Sequence, residues 1–166
     1  MKRMRLKKKA ARRIIVSITE QTLVLVEHDT ILRSYPVSTS RYGIGNKDGS
    51  FKTPLGKHVI CSKIGRNARF ASIFRNRRNT KKRAKIGSDG DKDLITSRIL
   101  RLKGLEPGKN TGRGIDTFHR YIYIHGTAEE HLISTPASHG CIRMKNKDII
   151  ELFELVQRGT IVDIRK

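Results

Sequence analysis

Short β-branched runs, broken at intervals by polar residues, constrain this chain more than any other feature of its sequence. Residues 14–18 (IIVSI), 22–26 (TLVLV) and 31–37 (ILRSYPV) each have the length of one strand, and the breaks at 19–21 and 27–30 are polar. β-branched side chains are stiff at χ1 and pack well on a pleated surface, so this spacing predicts a meander. His28 falls in the second break and reads as a turn residue. Residues 38–57 read as loop, with Gly43, Gly45, Gly49, Gly56 and Pro54 supplying turn chemistry. Residues 58–61 return to a short strand, in which Cys61, among apolar neighbours, reads as a packed, inert thiol.

Residues 62–93 are basic, contain Gly and Asn, and read as a long excursion that Phe70, Ile73 and Phe74 could pin to the body. Residues 94–102 (LITSRILRL) fit a strand better than a short helix, and 103–117 return to loop around Gly104, Pro107, Gly108, Gly112 and Gly114. In 120–125, two-residue alternation puts Tyr121, Tyr123 and His125 on one face, with Ile122 and Ile124 opposite. Helical spacing enters near the C-terminus. Asn146 or Asp148 can cap a helix whose Ile149, Leu152, Phe153 and Val156 form one stripe, and Gly159 can stop it. Residues 160–164 close the chain as a strand. The fold class is therefore mainly β (a β-rich α+β chain) with one helix in the C-terminal region.

At 166 residues the chain suits one domain, long enough to bury roughly 70% of its unfolded surface without a disulfide scaffold. The division expected is a disordered basic tail over 1–12 and one domain over 13–166. The two cysteines allow one bridge, Cys61–Cys141, and do not form a secreted-type framework. No stretch approaches the ~20 apolar residues of a membrane helix, and residues 14–18 are too short for the apolar core of a signal peptide. The expectation is a cytoplasmic protein that does not insert in a membrane, with the periplasm or cell wall as the alternative.

The formal net charge is +21, and half of the 36 Lys and Arg lie in residues 2–13 and 63–85. Such a surface attracts anions in a salt-dependent way. Nucleic acid is one partner it would suit. However, no RNA-recognition module or zinc-knuckle spacing is present, and Phe70 and Phe74 are the only aromatics within the two basic blocks. A basic nucleic-acid-binding module is therefore kept as an alternative reading.

Chemistry concentrates in residues 121–144, YIYIHGTAEEHLISTPASHGCIRM, which hold three histidines and one of the two cysteines. A thiol attacks a carbonyl carbon as thiolate, so a catalytic Cys141 needs a base or a positive field beside it. His125 ends a strand, and a strand–loop–strand return would bring it across to Cys141. His139 precedes Cys141 by two residues and shares its face only if the segment is extended. Gly126 leaves its carbonyl open to the second imidazole N–H, which would fix the tautomer. Gly140 permits close backbone approach, and the Gly140 and Cys141 amides could face an oxyanion. Arg143 could lower the thiol pKa or pair with a carboxylate. His131 reads as a loop residue. Binding of zinc by His125, His131, His139 and Cys141 is the competing reading, without support from C-x-x-C or H-E-x-x-H spacing.

His125-Gly126-Thr127, followed after about a dozen residues by Ser138-His139-Gly140-Cys141-Ile142-Arg143-Met144, resembles the signature of the L,D-transpeptidase (YkuD-type) catalytic domain. Residues 36–40 (PVSTS), 53–56 (TPLG) and 159–162 (GTIV) resemble further landmarks of that family, and 62–117 is the least typical part. The resemblance implies a β-sandwich-like fold and no cofactor or metal. It implies Cys-dependent acyl transfer on peptidoglycan tetrapeptide stems or soluble muropeptides, with attack at the L-centre carbonyl of diaminopimelate and loss of D-Ala. On that pattern Cys141 is the nucleophile, His125 the base, and Gly126 its orienting carbonyl. His139 and Gly140 shape the oxyanion pocket, with Ser138 and Arg143 as support. Water as acceptor, an L,D-carboxypeptidase of murein recycling, fits the absence of a recognised export signal. The alternative is an amine acceptor, giving cross-links or an exchanged terminal D-amino acid. Tyr123 on the site face, and Arg66, Arg69, Arg75, Arg77 and Arg78 on a substrate-covering excursion at 62–93, are the expected contacts for the stem peptide.

Overall fold

The computed structural model of the chain describes residues 11–87 and 93–166. Most of the expected tail lies outside the described residues, but Arg12 already belongs to a strand. The elements are β1 (Arg12–Ser17), β2 (Thr22–Glu27), β3 (Thr30–Ser38), β4 (Gly56–Ile64), β5 (Ser72–Arg75), β6 (Arg78–Arg83), β7 (Ile95–Gly104) and β8 (Tyr123–Gly126). A 3-10 turn (Glu130–Leu132), β9 (Ile142–Met144), α1 (Asn146–Leu155) and β10 (Ile161–Arg165) complete them.

Hydrogen bonds link the strands in the order β4-β10-β1-β2-β3-β9-β8-β7-β5-β6, and β4 also pairs with β7. That extra pairing closes eight strands into a ring, so the two layers expected of a sandwich are continuous. Closure leaves the ring itself without the two free edges of an open sheet, while β6 stays at the end of the strand order. Alternate residues of the meander, Ile14, Val16, Leu23, Leu25 and Val37, point inward to a core shared with Ile149, Leu152 and Phe153 of α1. The helix packs against β7 and β8. Its stripe is the one the spacing predicts, and truncating Leu152 there to Ala would cost about 2–5 kcal/mol.

Several expectations are corrected. The excursion is not a loop: β4 runs on to Ile64, and β5 and β6 form a hairpin attached to β7 at Ile73↔Thr96 and Phe74↔Ile95. Phe74 pins it from a buried position, whereas Phe70 is 42% exposed. Strand β8 begins only at Tyr123, because Tyr121 takes a positive φ of 55° and is exposed, so alternation does not extend over 120–125. Neither Asn146 nor Asp148 caps the helix by its side chain; Lys145 is the N-cap, and Glu130 Oε1 accepts the Asn146 N–H at 2.8 Å. A carboxylate at that end complements the helix dipole.

Candidate active site

Strands β8 and β9 run parallel, with Ile124 opposite Ile142 and His125 opposite Arg143. Ile124, Ile142 and Met144 face the core, which leaves Tyr123, His125 and Arg143 on the other side. Gly126 is required for a reason beyond its carbonyl: a Cβ there would lie 2.6 Å from the Thr96 carbonyl oxygen, so only glycine lets β8 approach β7 at this point. The β7–β8 register slips between Thr96 and Ile99, where Ser97 has φ 64°, and this bulge lies beside the histidine.

Cys141 enters from a turn that its neighbours hold. Ser138 Oγ donates to the Cys141 carbonyl at 2.6 Å and accepts the Gly140 N–H at 3.2 Å, while Thr53 Oγ1 donates to the Gly140 carbonyl at 3.0 Å. Gly140 has φ 123°, which disfavours any side chain, and a Cβ would crowd Ile122 at 3.1 Å. The Gly140 amide expected to face an oxyanion is therefore engaged by Ser138 in this arrangement. The Cys141 thiol accepts the Tyr123 N–H at 3.3 Å and donates to the Tyr121 carbonyl at 3.5 Å.

His125 is fully buried, and its Nδ1 lies 2.6 Å from the Gly126 carbonyl oxygen. That contact needs a proton on Nδ1, so Nε2 carries the lone pair. Nε2 is buried with no hydrogen-bond partner among the described residues. Burial lowers the imidazole pKa most; Arg143 adds to that, and Asp93 and the Gly126 carbonyl oppose it. Burial pushes the Cys141 thiol up to about 12, against the lowering effects of the Tyr123 N–H, Arg143 and Arg120. Both shifts favour a thiol beside a neutral imidazole over the thiolate, and no hydrogen bond joins Nε2 to the sulfur among the described residues.

Of the two roles expected of Arg143, a lowering effect on the thiol is present, whereas its guanidinium is already engaged by protein carboxylates. It is buried between Asp93 Oδ1 (2.6 Å) and Glu129 Oε2 (3.0 Å). Asp93 Oδ2 also meets His139 Nδ1 at 3.1 Å, and the His139 ring packs against Tyr42 and Phe51 with centroids 5.9 Å away. The sequence reading missed Asp93, Glu129 and Thr53. Asp93 is the last of three aspartates that follow a basic run, and nothing in that pattern marks which one turns inward.

Tyr123 is buried, and its hydroxyl accepts Arg77 Nη1 at 3.1 Å. The Arg77 guanidinium lies 5.1 Å above the Tyr121 ring, so the hairpin tip reaches the residues that bond the thiol. Arg66, Arg69, Arg75 and Arg78 are exposed elsewhere on the excursion. Cys61 is free, as is Cys141, which ends the idea of a bridge; the Cys61 thiol is half-buried and donates to the Arg101 carbonyl at 3.3 Å. Among the described residues no group of three His, Cys, Asp or Glu is placed to hold a metal. No described helix is long and apolar enough to cross a membrane.

Residues 11–164 match the model of the L,D-transpeptidase catalytic domain, YkuD. A Bacillus licheniformis protein provisionally named as the L,D-transpeptidase YkuD is 28% identical over 153 residues, covering 92% of this chain and 64% of its own length. The chain thus spans somewhat less than two thirds of that relative. Among solved structures, L,D-transpeptidase 3 of Mycobacterium tuberculosis with a faropenem-derived adduct is similar at TM-score 0.59 and 17% identity, over 95% of this chain and 61% of that one. An L,D-transpeptidase of Mycobacterium smegmatis is similar at TM-score 0.57 and 16% identity, over 95% of this chain and 59% of that one. At these identities the two structures speak for the fold.

Proposed function

Because the chain belongs to the YkuD-type L,D-transpeptidase catalytic-domain family, we propose that it transfers the acyl group of a peptidoglycan stem peptide to an amine through a thioester on Cys141. One observation carries this reading: an imidazole whose buried Nε2 has no partner among the described residues stands on the strand paired beside the one that Cys141 leads into. Cys141 precedes by two residues the register partner of His125. The backbone positions are then about 6–7 Å apart along the strands and about 4.8 Å apart across them. On this reading the thiol turns from the Tyr121 carbonyl toward Nε2 for the transfer.

As the sulfur bonds to the carbonyl carbon, its proton passes to Nε2 and the carbonyl electron pair moves to oxygen. Collapse expels the D-Ala amine, which takes the proton from the imidazolium and leaves a thioester. Nδ1–H stays on the Gly126 carbonyl throughout, so the ring presents Nε2 for both transfers. The acceptor amine then repeats the sequence in reverse. An amine is favoured over water because the relatives carry the transpeptidase name.

Intact-mass and product mass spectrometry on protein incubated with tetrapeptide, with and without glycine, tests this. Replacement of alanine by glycine is expected, and Cys141→Ala abolishes it. Loss of alanine alone, with glycine present, selects water and a carboxypeptidase. No change in either product would end the acyl-transfer reading and return attention to the basic surface, with salt-dependent nucleic-acid binding as the measurement.

A further inference from the structure

Arg143 heads the fully buried side chains by size and is 1% exposed, yet it carries charge. Two carboxylates hold it, Asp93 at 2.6 Å and Glu129 at 3.0 Å. One cation and two anions leave this set with a surplus negative charge. A buried cation needs one partner to be neutral, so stability of Arg143 alone does not explain the second. The Asp93 side chain, 27% exposed, also spends its other oxygen on His139 at 3.1 Å.

The surplus lies beside His125, which stands opposite Arg143 in the parallel ladder. Among the described residues, the charged groups that act on the imidazole are Arg143, opposite it on β9, and Asp93, in the segment before β7; Glu129 and His139 reach it only through Arg143 and Asp93, and β7 presents the neutral Ile99. Burial would raise the Asp93 carboxyl, but the charge of His125 once protonated, the charge of Arg143 and the hydrogen bonds from His139 and Arg143 hold it below its ordinary value.

We infer that Asp93 is a positioning residue for the acyl transfer. Its carboxylate locks Arg143 and His139, and it gives the Asp93–Arg143–Glu129 set the negative charge that supports His125 as it accepts the Cys141 proton. This rests on the reading of Cys141 as nucleophile. In the step concerned, the S–H bond breaks and an N–H bond forms at Nε2. The new S–C bond uses the sulfur pair, and the positive charge gained by His125 is met by a negative charge already in place. Preorganised charge of this kind needs no rearrangement when the proton moves.

The test is 15N-histidine NMR of the full chain beside the pH–rate profile for tetrapeptide acylation. In Asp93→Asn the His125 pKa is expected to fall by about one unit, a tenfold change in proton affinity. The acid limb of the rate profile shifts to lower pH by the same amount, the plateau kcat drops roughly tenfold, and KM moves less than about threefold. Asp93→Glu, which keeps the charge, recovers part of the rate. A His125 pKa and an acid limb unchanged in Asp93→Asn would overturn the inference, because a purely structural carboxylate would move neither. If Asp93→Asn does not fold, Asp93→Ser removes the same charge with a smaller side chain; a lowered His125 pKa there supports the inference and an unchanged one overturns it. Wild-type protein that forms no thioester, but whose His125 pKa still falls in Asp93→Asn, rejects the acyl-transfer reading while leaving the Asp93–His125 coupling intact.

Discussion

Two buried histidines, His58 on β4 and His125 on β8, share almost everything that is taken as a mark of catalysis. Both are fully buried, and both place Nδ1 on a glycine carbonyl, that of Gly56 at 2.9 Å and that of Gly126 at 2.6 Å. Both have pKa values lowered chiefly by burial, His58 to about 4. They differ at the second nitrogen. His58 Nε2 meets the Thr117 hydroxyl at 3.0 Å, whereas His125 Nε2 meets nothing among the described residues. Burial and a shifted pKa therefore describe a satisfied structural histidine as well as a base. The unpaired lone pair, with a cysteine and a carboxylate nearby, is what separates them.

The largest expected effect tests that separation directly. His125→Gln should cut thioester formation on the order of 10²–10⁴-fold, the range for losing a general base. His58→Gln should change the rate per folded molecule less than about threefold and instead cost about 1–3 kcal/mol in urea unfolding, as a buried hydrogen-bond pair is disturbed. Equal rate losses at both positions would erase the distinction.

Acid stability comes next. The folded pKa of His58, about 4, lies below the ordinary 6.5, so between these values the unfolded chain binds more protons. Stability is then fully present above pH 6.5 and falls as the pH drops toward 4, by about 3 kcal/mol from this one group. His58→Gln should flatten that part of the curve in urea unfolding series at pH 7, 6, 5 and 4. His125 contributes in the same direction, so the flattening is partial.

A smaller effect probes the two glycines that accept these imidazoles. Gly126→Ala would drive a Cβ to 2.6 Å from the Thr96 carbonyl, and β8 must shift away from β7. A loss of about 1–3 kcal/mol is expected, as for overpacking elsewhere, with acylation lowered further because Nδ1 loses its carbonyl. In Gly56→Ala the Cβ meets the Glu106 carboxylate and the φ of 102° disfavours alanine, so stability falls but the rate per folded molecule does not. Thermal unfolding together with intact-mass kinetics separates the two.

Much of the fold and of the site around His125 was legible in the sequence, and where legibility stopped has a physical cause. The strands β1, β2 and β3 follow from β-branched runs, whose pattern is local. The helix stripe Ile149, Leu152 and Phe153 is local too. Cys141, His125 and Gly126 stand within seventeen residues, so their spacing could be read. The β5–β6 hairpin was missed because Arg78–Arg83 (RNTKKR) lacks the apolar alternation of a half-buried strand; its pairing with β5, not its side chains, makes it one. Asp93 and Glu129 were missed because a carboxylate becomes part of a buried ion set only through partners far along the chain. Arg143 was read as acting on the thiol or pairing with a substrate carboxylate because its side chain was placed by strand parity, and parity says nothing about the two anions waiting on that face.

The smallest effect carries the sharpest test of how the resting site differs from the working one. A thiol raised to about 12 holds little thiolate at pH 7. Its hydrogen bonds go to Tyr121 and Tyr123 and not to His125. Labelling of Cys141 by iodoacetamide at pH 7 should therefore be slow, should rise about tenfold per pH unit through pH 9, and should change less than about twofold in His125→Gln. Peptide acylation of the same sulfur should collapse in that variant. Had the pair rested as thiolate and imidazolium, removing the imidazole would slow both reactions together. The two rates, measured on one pair of proteins, thus tell whether His125 holds the proton beforehand or takes it only as the sulfur attacks.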